Sequence, residues 1–366
     1  MWEGIVMAVK SYKDKNGKLK YYCSFYYTDY NGIKKRKKIE GFLRSKDAKQ
    51  AEADFLDKIN GSSEMSFKAL ADLYLKDCKS RLKPTTYFIK NNMFDKNLIP
   101  YFSDVRVIDI TPVKIREWQN KLLERVPAYS QTYIKSLNNQ MSAFFNFCVR
   151  FYGLKTNPIH SAGSVGKNRS GRLDFYTLDE YNAFMEALHK ITNDKAISMF
   201  FELLFYTGCR CGELLALTTA DFDADKNTID INKNFGIADG KQYILPPKTP
   251  KSKRIITLPS KVSQHFQDYL QSLYEPQSKE RIFSTINKDR LAKMVRKASA
   301  LAGIKRIRVH DFRHSHASLL IELGFSPLLI SERLGHEKIE TTLQIYSHLY
   351  PSKSEAVAQK LNEFVK

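Results

Sequence analysis

The chain has 366 residues, 43% hydrophobic and 12% aromatic, which is enough for two or three domains with their own cores and excludes a disordered chain. Its 59 Lys and Arg against 39 Asp and Glu give a formal charge of +20, an excess that draws in a polyanion and makes nucleic acid the leading partner. No apolar run nears the roughly 20 residues that span a bilayer, and Ile5 to Val9 is too short for the core of a signal peptide. The cysteines, Cys23, Cys78, Cys148, Cys209 and Cys211, are odd in number and lack disulfide-scaffold spacing, so a cytoplasmic protein with free thiols and no membrane partner is expected. Cys209 and Cys211 form a C-x-C pair without a second pair at zinc-finger spacing, and packing is the preferred reading.

In chain order, Val6 to Tyr12 and Leu19 to Asp29 read as strands joined by the Asn-Gly turn Asp14 to Gly17, Lys34 to Glu40 as a third strand, and Ser45 onward as a helix through Ala48, Ala51, Phe55 and Ile59. Basic residues crowd this stretch. Lys10, Lys18, Lys20, Lys34, Lys35, Arg36 and Lys37 are candidate DNA contacts, because a three-stranded sheet can enter a major groove and reach phosphates from its edges. From Ser66 to Ile159 the spacing is helical: Phe67, Leu70, Leu73 and Tyr74 share a face, and Ile134, Leu137, Met141, Phe144, Phe145 and Cys148 form one long apolar stripe, which predicts four helices with the aromatics as core.

Gly153 to Asp174 loses this periodicity and reads as an extended linker, where Lys167, Arg169 and Arg172 are further candidate DNA contacts. Thr177-Leu178-Asp179-Glu180 is a capping box ahead of Tyr181, Phe184 and Leu188, and a helix through Ile197 to Tyr206 stops at Thr207-Gly208. Thr228 to Asn234, Gln242 to Leu245 and Arg254 to Leu258 read as short strands. Helices then return over Val262 to Tyr274, Lys288 to Ala302, His310 to Leu323 and after Ser326-Pro327. The expected fold class is α+β, predominantly α, divided at 1–62 (sheet plus helix), 63–160 (helical), 161–175 (linker) and 176–366 (mostly helical, with a small antiparallel sheet and a tail helix).

The last of these regions carries groups suited to a phosphodiester: Arg210 in YTGCRCGELLAL, His310 and Arg313 in VHDFRHSHASLL, His336 in ERLGH and Tyr346 in TTLQIYSHL. An attacked phosphodiester spreads charge over its non-bridging oxygens, which guanidinium forks match, and a tyrosine can serve as nucleophile without a metal. Tyr350 is the only other tyrosine after His336. His310-Asp311-x-x-His314 also has the i, i+4 histidines of a zinc hydrolase helix, but Asp replaces the usual Glu and Arg313 lies inside the pattern.

The blocks TGCRCGELLALTTADFD, PPKTPKSKRIITLP, HDFRHSHASLLIELG and SERLGHEKIETTLQIYSHL resemble, in order, the signature of tyrosine recombinases of the phage-integrase type. The resemblance spans about residues 176 to 350. It implies that Tyr346 is the nucleophile, Arg210 and Arg313 the paired arginines, His310 a phosphate-binding group that supports proton transfer, and His336 a hydrogen-bond donor to phosphate. It also implies that Lys248 protonates the leaving 5′ oxygen, with Lys251 and Lys253 as neighbouring alternatives, and that Glu213 supports Arg210. His314 and His316 are expected to be packing and surface groups. By the same resemblance, residues 1–62 are an arm-type DNA-binding domain and 63–160 a core-binding domain. The partners are double-stranded DNA at core and arm sites, other copies of the chain in a tetramer on DNA, and an excisionase or a host DNA-bending protein, in a bacterial cytoplasm and without a cofactor or metal. Val357, Leu361, Phe364 and Val365 give the tail the spacing of a docking helix. A type IB-like topoisomerase and a non-cutting DNA-binding protein of the same fold are the alternatives.

Overall fold

The computed structural model describes residues 9–15, 17–28, 34–59, 63–168, 174–247, 249–274, 278–346 and 362. Lys248, Arg169, Arg172 and the tail beyond Tyr346, apart from Asn362, lie outside the described residues, as does the start of the expected first strand. The chain divides into two compact units, 1–170 and 171–366.

The first unit opens with an antiparallel sheet, β1 (Val9–Lys13), β2 (Leu19–Thr28) and β3 (Lys34–Phe42) in that order, followed by α1 (Ser45–Ile59). Side chains alternate across a strand. Cys23 and Phe25 of β2 are therefore buried toward α1, where the Phe25 and Tyr27 rings meet Phe55 at 5.2 and 5.1 Å. The opposite face carries Tyr22, Ser24 and Tyr26, and the register sets Lys38 beside Ser24 and Arg36 beside Tyr26.

Next come α2 (Phe67–Arg81) and α3 (Pro84–Met93), the latter continuing through a π-turn at Phe94–Leu98 into α4 (Ile99–Phe102). They are followed by α5 (Pro112–Glu124), α6 (Gln131–Phe151) and the short α7 (Pro158–Ala162). Ser66, Thr111 and Ser130 cap α2, α5 and α6 by accepting backbone N–H groups, which satisfies donors that a helix start leaves free. Phe67, Phe94, Phe102, Trp118 and Phe144 fill the core, and the expected stripe of α6 is buried throughout.

The segment expected to be an extended linker from Gly153 is folded in its first half. Asn157 caps α7, whose Pro158, Ile159 and Ala162 are buried, and the Gln119 Nε2 donates to Gly163 O at 2.8 Å. Low periodicity misled because five residues are too few to show a helical period.

The second unit begins with α8 (Leu178–Ile191), started by the expected capping box: Glu180 N donates to Thr177 Oγ1 at 3.3 Å and Thr177 N to Glu180 Oε2 at 2.9 Å. α9 (Lys195–Thr207) ends at Gly208, which is left-handed at φ +64°. After the short α10 (Cys211–Leu214) come β4 (Phe222–Asp223), β5 (Thr228–Ile231), β6 (Asn234–Ala238), β7 (Lys241–Leu245) and β8 (Arg254–Thr257). They form two antiparallel sheets, β4-β5-β8 and the hairpin β6-β7. The expected single strand from Thr228 to Asn234 is thus two: β5 ends at Ile231, and Asn234 starts β6 with Gly236 inside it.

α11 (Ser260–Gln271), α12 (Lys288–Leu301), α13 (Phe312–Glu322), α14 (Pro327–Leu334) and α15 (Ile339–Tyr346) complete the unit. Its core joins Phe184, Phe200, Phe201, Phe205, Phe283 and Phe312. Among the described residues no helix is long and apolar enough to cross a membrane.

Candidate active site

Five short segments of the second unit bring the site together. The turn after α9 supplies Gly208 and Arg210, and α10 supplies Glu213 one turn later. Arg210 N donates to Glu213 Oε2 at 2.9 Å and Arg210 Nη1 to Oε1 at 2.7 Å, so the carboxylate fixes both ends of the arginine. Arg210 also reaches Ser252 Oγ at 3.4 Å and Gly335 O at 3.5 Å, and stays 29% exposed, the one site arginine open to a ligand among those described.

Arg313, on the first turn of α13, is 3% exposed. Its Nη1 donates to Gly208 O at 2.8 Å and its Nη2 to Leu334 O at 2.7 Å. It ties the ends of α9 and α14 together through carbonyls that a helix C-terminus leaves without partners. Burial and the positive Arg210 pull its pKa down to about 9, which leaves it cationic at neutral pH.

Sequence reasoning missed a third arginine. Arg254 starts β8 and donates to Glu213 Oε2 at 3.0 Å, to Ser252 O at 2.8 Å and to Arg333 O at 2.8 Å. Burial alone would raise the pKa of Glu213, but Arg254 and then Arg210 hold it below the usual carboxylate range. In KSKRIITLP the basic run hid Arg254. The signal was its place at the head of a β-branched run, where alternation turns every second side chain inward.

His310 departs from expectation. The helix was expected from His310; instead Val309–Asp311 is a 3-10 turn and α13 starts at Phe312. The cause is Asp311, buried at 2% exposure, whose carboxylate takes Arg308 N, Nε and Nη2 at 2.8, 2.9 and 2.6 Å and closes the turn. His310 is left exposed while Arg313 is buried. Desolvation and Arg313 lower its pKa.

His314 and His316, expected as packing and surface groups, are both buried and both bonded. His314 Nδ1 lies 2.6 Å from the Tyr346 hydroxyl, and His316 Nε2 accepts from Arg333 Nε at 3.1 Å. Burial pushes His316 down to about 3 and His314 to about 4, so both rings are neutral at pH 7.

His336 follows Gly335, the left-handed cap of α14, and its Nδ1 is 2.7 Å from Thr342 Oγ1. That contact leaves Nε2 for a ligand. Burial, then Arg313, Arg210 and Arg254, push its pKa to about 3. Beside it lies an open cleft of about 710 Å³, whose walls include Lys251, Lys253, Arg254, His336 and Lys338.

Tyr346, the last residue of α15, is 1% exposed and packs on Ala317, Leu320, Ile330 and Leu334. Burial raises its pKa well above the usual phenol value, and Arg313 counteracts this. Of the expected site residues, Arg210, Glu213, Arg313 and His336 meet around the ends of α9 and α14, Tyr346 joins them through α15, His310 stands exposed at the neighbouring turn, and Lys248 lies outside the described residues.

The basic face of the N-terminal sheet is also selective. Lys10, Lys20 and Arg36 fall on the open face with Tyr22 and Tyr26, whereas Lys37 falls on the α1 side, its Nζ 5.6 Å from the Phe55 ring. Lys35 shares the Lys37 side by alternation. Lys38, missing from the sequence candidates, is on the open face over Tyr22 at 4.6 Å. Lys18 lies in the turn before β2 with its backbone N–H on Asp14; only the backbone of Lys34 is described, and Lys167 follows the last packed residues of the first unit.

Comparison with known proteins matches three regions of the chain. The phage integrase family matches residues 174–353, the N-terminal SAM-like domain of phage integrases 66–123, and an arm DNA-binding domain 10–59. The chain belongs to the phage integrase family of tyrosine recombinases. It is 27% identical over 382 residues to the ICEBs1 integrase of Bacillus subtilis, covering 98% of this chain and all of that one. It is 26% identical to the integrase of Staphylococcus phage L54a, over 84% of this chain and 97% of that one.

Among solved structures, the Tn1549 transposon integrase in complex with a circular intermediate DNA matches with a TM-score of 0.66 at 18% identity, over 81% of this chain and 99% of that one. A lambda integrase dimer bound to a COC′ core site matches with 0.58 at 17%, over 96% and 97%. These two likenesses show a shared fold.

Proposed function

We propose that the chain is a site-specific DNA recombinase, an integrase that cuts and rejoins duplex DNA to insert and release a mobile element. The observation that carries this reading is the meeting of Arg210 and Arg313 at the carbonyls that end α14, beside His336. Two cations and an imidazole in one partly dry corner suit the spread charge of a pentacoordinate phosphate.

Tyr346 attacks the scissile phosphate, the P–O5′ bond breaks, and the enzyme is left joined to the 3′ phosphate with a 5′ hydroxyl released. Arg210 and Arg313 hold the non-bridging oxygens, His336 and His310 add hydrogen bonds to them, and Glu213 orients Arg210. Lys248 gives its proton to the departing 5′ oxygen, with Lys251 and Lys253 as alternatives for that role. The bond energy is retained in the phosphotyrosine, so another strand's 5′ hydroxyl reverses the step without ATP. Guanidinium groups supply the positive charge that a metal supplies elsewhere.

The partner is double-stranded DNA. Residues 1–62 take arm-type sites through the open face of the sheet, 63–160 take core sites, and Lys167, Arg169 and Arg172 in the linker at 161–175 lie along the backbone between the core-binding domain and the catalytic domain at 176–366. Four copies act together on two duplexes in the bacterial cytoplasm, aided by an excisionase or a DNA-bending protein, and the tail docks between copies.

The test is Tyr346→Phe beside wild type, in EDTA, on supercoiled plasmid and on the ends of the element that carries the gene. Covalent 3′ adducts are trapped on a denaturing gel. An EDTA-resistant adduct absent from the variant supports the reading, and recombinant product from the ends separates it from a topoisomerase. Tight DNA binding with no adduct from wild type would overturn it.

A further inference from the structure

The tyrosine hydroxyl shares its hydrogen bond with His314, the residue after Arg313, and not with His310. We propose that His314 is the proton acceptor for the nucleophile, an inference that rests on the recombinase reading above. Three observations support it. First, His314 Nδ1 is 2.6 Å from Tyr346 Oη, and the two residues are 8% and 1% exposed, which limits competition from water for the contact.

Second, the other ring nitrogen, Nε2, faces the Asp311 carboxylate at 4.0 Å. That distance is too long for a hydrogen bond but short enough for the carboxylate to favour the tautomer with hydrogen on Nε2, leaving the Nδ1 lone pair for the phenol. The order hydroxyl, imidazole, carboxylate is the arrangement by which an acid group stabilises an imidazolium formed during attack. Third, Asp311 is anchored by three bonds from Arg308, so its position does not depend on His314.

In the attack, Tyr346 Oη bonds to phosphorus and the P–O5′ bond breaks while the phenol proton moves to His314 Nδ1. On religation a 5′ hydroxyl gives its proton to the lysine that supplied one in cleavage, its oxygen bonds to phosphorus, the P–Oη bond breaks and the proton on His314 returns to the phenol. The charged and titratable groups around the ring are His310 and Asp311 from the 3-10 turn, Arg308 just before it, Arg313 from α13, His336 beyond α14 and Tyr346 from α15. With no DNA, burial first and then the neighbouring positive groups keep the imidazole neutral; a phosphodiester brings a negative charge that favours the imidazolium.

The experiment uses the full chain with His314→Asn, which keeps an acceptor atom but takes no proton, and His314→Leu, which keeps neither. Each is compared with wild type and Tyr346→Phe on a nicked duplex bearing the element's end, reading the rate of covalent adduct at saturating protein from pH 6.5 to 9.5. DNA affinity is measured by gel shift and folding by thermal melting. The proposal expects both variants to form adduct about 100-fold more slowly at pH 7.5, to approach wild type as the pH rises, and to bind DNA as wild type does.

Full activity in His314→Asn overturns it, since a hydrogen bond alone then suffices. A pH-independent loss with a lowered melting temperature overturns it in favour of a packing role. In the DNA-free protein, the 13Cζ resonance of Tyr346, identified by its absence in Tyr346→Phe, shifts in His314→Leu; no shift overturns the contact itself. An adduct in wild type that is lost in Tyr346→Phe, with both His314 variants unimpaired, removes this proposal alone. No adduct from wild type removes the recombinase reading with it.

Discussion

The carboxylate of Glu213 and the guanidinium of Arg254 meet at 3.0 Å with side chains 3% and 7% exposed, and the other oxygen of the same carboxylate holds Arg210 at 2.7 Å. One acid thus fixes an open arginine and a buried one. Removing one partner from a buried pair leaves a charge without solvent or counterion, a loss of about 3–5 kcal/mol. Glu213→Ala is expected to destabilise the second unit by about 3 kcal/mol in urea unfolding at pH 7. Because the folded-state pKa of Glu213 is depressed, its contribution is complete above the unfolded value near 4.3 and is lost as pH falls through the folded-state value. The gap between wild type and Glu213→Gln should therefore narrow below pH 4.

His316 gives a second pH window of the same sign that opens at higher pH. Its folded-state pKa is pushed down to about 3, so its contribution is whole above the unfolded value near 6.5 and falls as pH drops from there toward the folded-state value. At pH 5.5 the cost is about 1.4 kcal/mol. Unfolding by urea at pH 7.5 and 5.5 should show wild type losing about that much more than His316→Gln.

Gly208 has room for nothing larger. It is left-handed, and a Cβ there would sit 2.6 Å from His316 Cδ2 and 2.7 Å from Leu334 Cδ2. Its carbonyl also receives Arg313. Gly208→Ala is expected to cost about 1–3 kcal/mol in melting experiments and to reduce adduct formation further than its stability loss explains, because the clash displaces the carbonyl that aims Arg313. An adduct yield that merely follows the folded fraction would count against that aim.

On the N-terminal sheet, alternation separates lysines that look equivalent in the sequence. Arg36→Ala and Lys38→Ala, on the open face, should each lower the slope of log affinity against log salt by about 0.9 for arm DNA, the share of one phosphate contact. Lys37→Ala, on the side of α1, should leave that slope nearly unchanged. Fluorescence anisotropy over a salt series reads both.

Much of this fold was legible because its signals are local. The Thr177 box, the Thr207-Gly208 stop and the α6 stripe each sit within a few turns, and the structure reproduces them. The identities of Arg210, Arg313, His336 and Tyr346 could be taken from motif order. What escaped was settled by partners distant in sequence. Arg254 looked like one more residue in a lysine run until Glu213, 41 positions away, gave it a carboxylate. His314 looked like packing until Tyr346, 32 positions on, reached its ring. His310 was misplaced for a local reason, since nothing in the apolar period reveals that Arg308 would capture Asp311 and delay the helix.

The contacts of Arg313 span 105 residues to Gly208 and 21 to Leu334, and those of Arg254 span 79 to Arg333. The site therefore has no early fragment that works. A polypeptide still emerging from the ribosome holds Arg210 long before it holds the α14 carbonyls, and acquires its tyrosine last of all. On the mechanism proposed above, a chain built in this order cuts no strand until synthesis has passed residue 346, so its order of assembly sets when it becomes active.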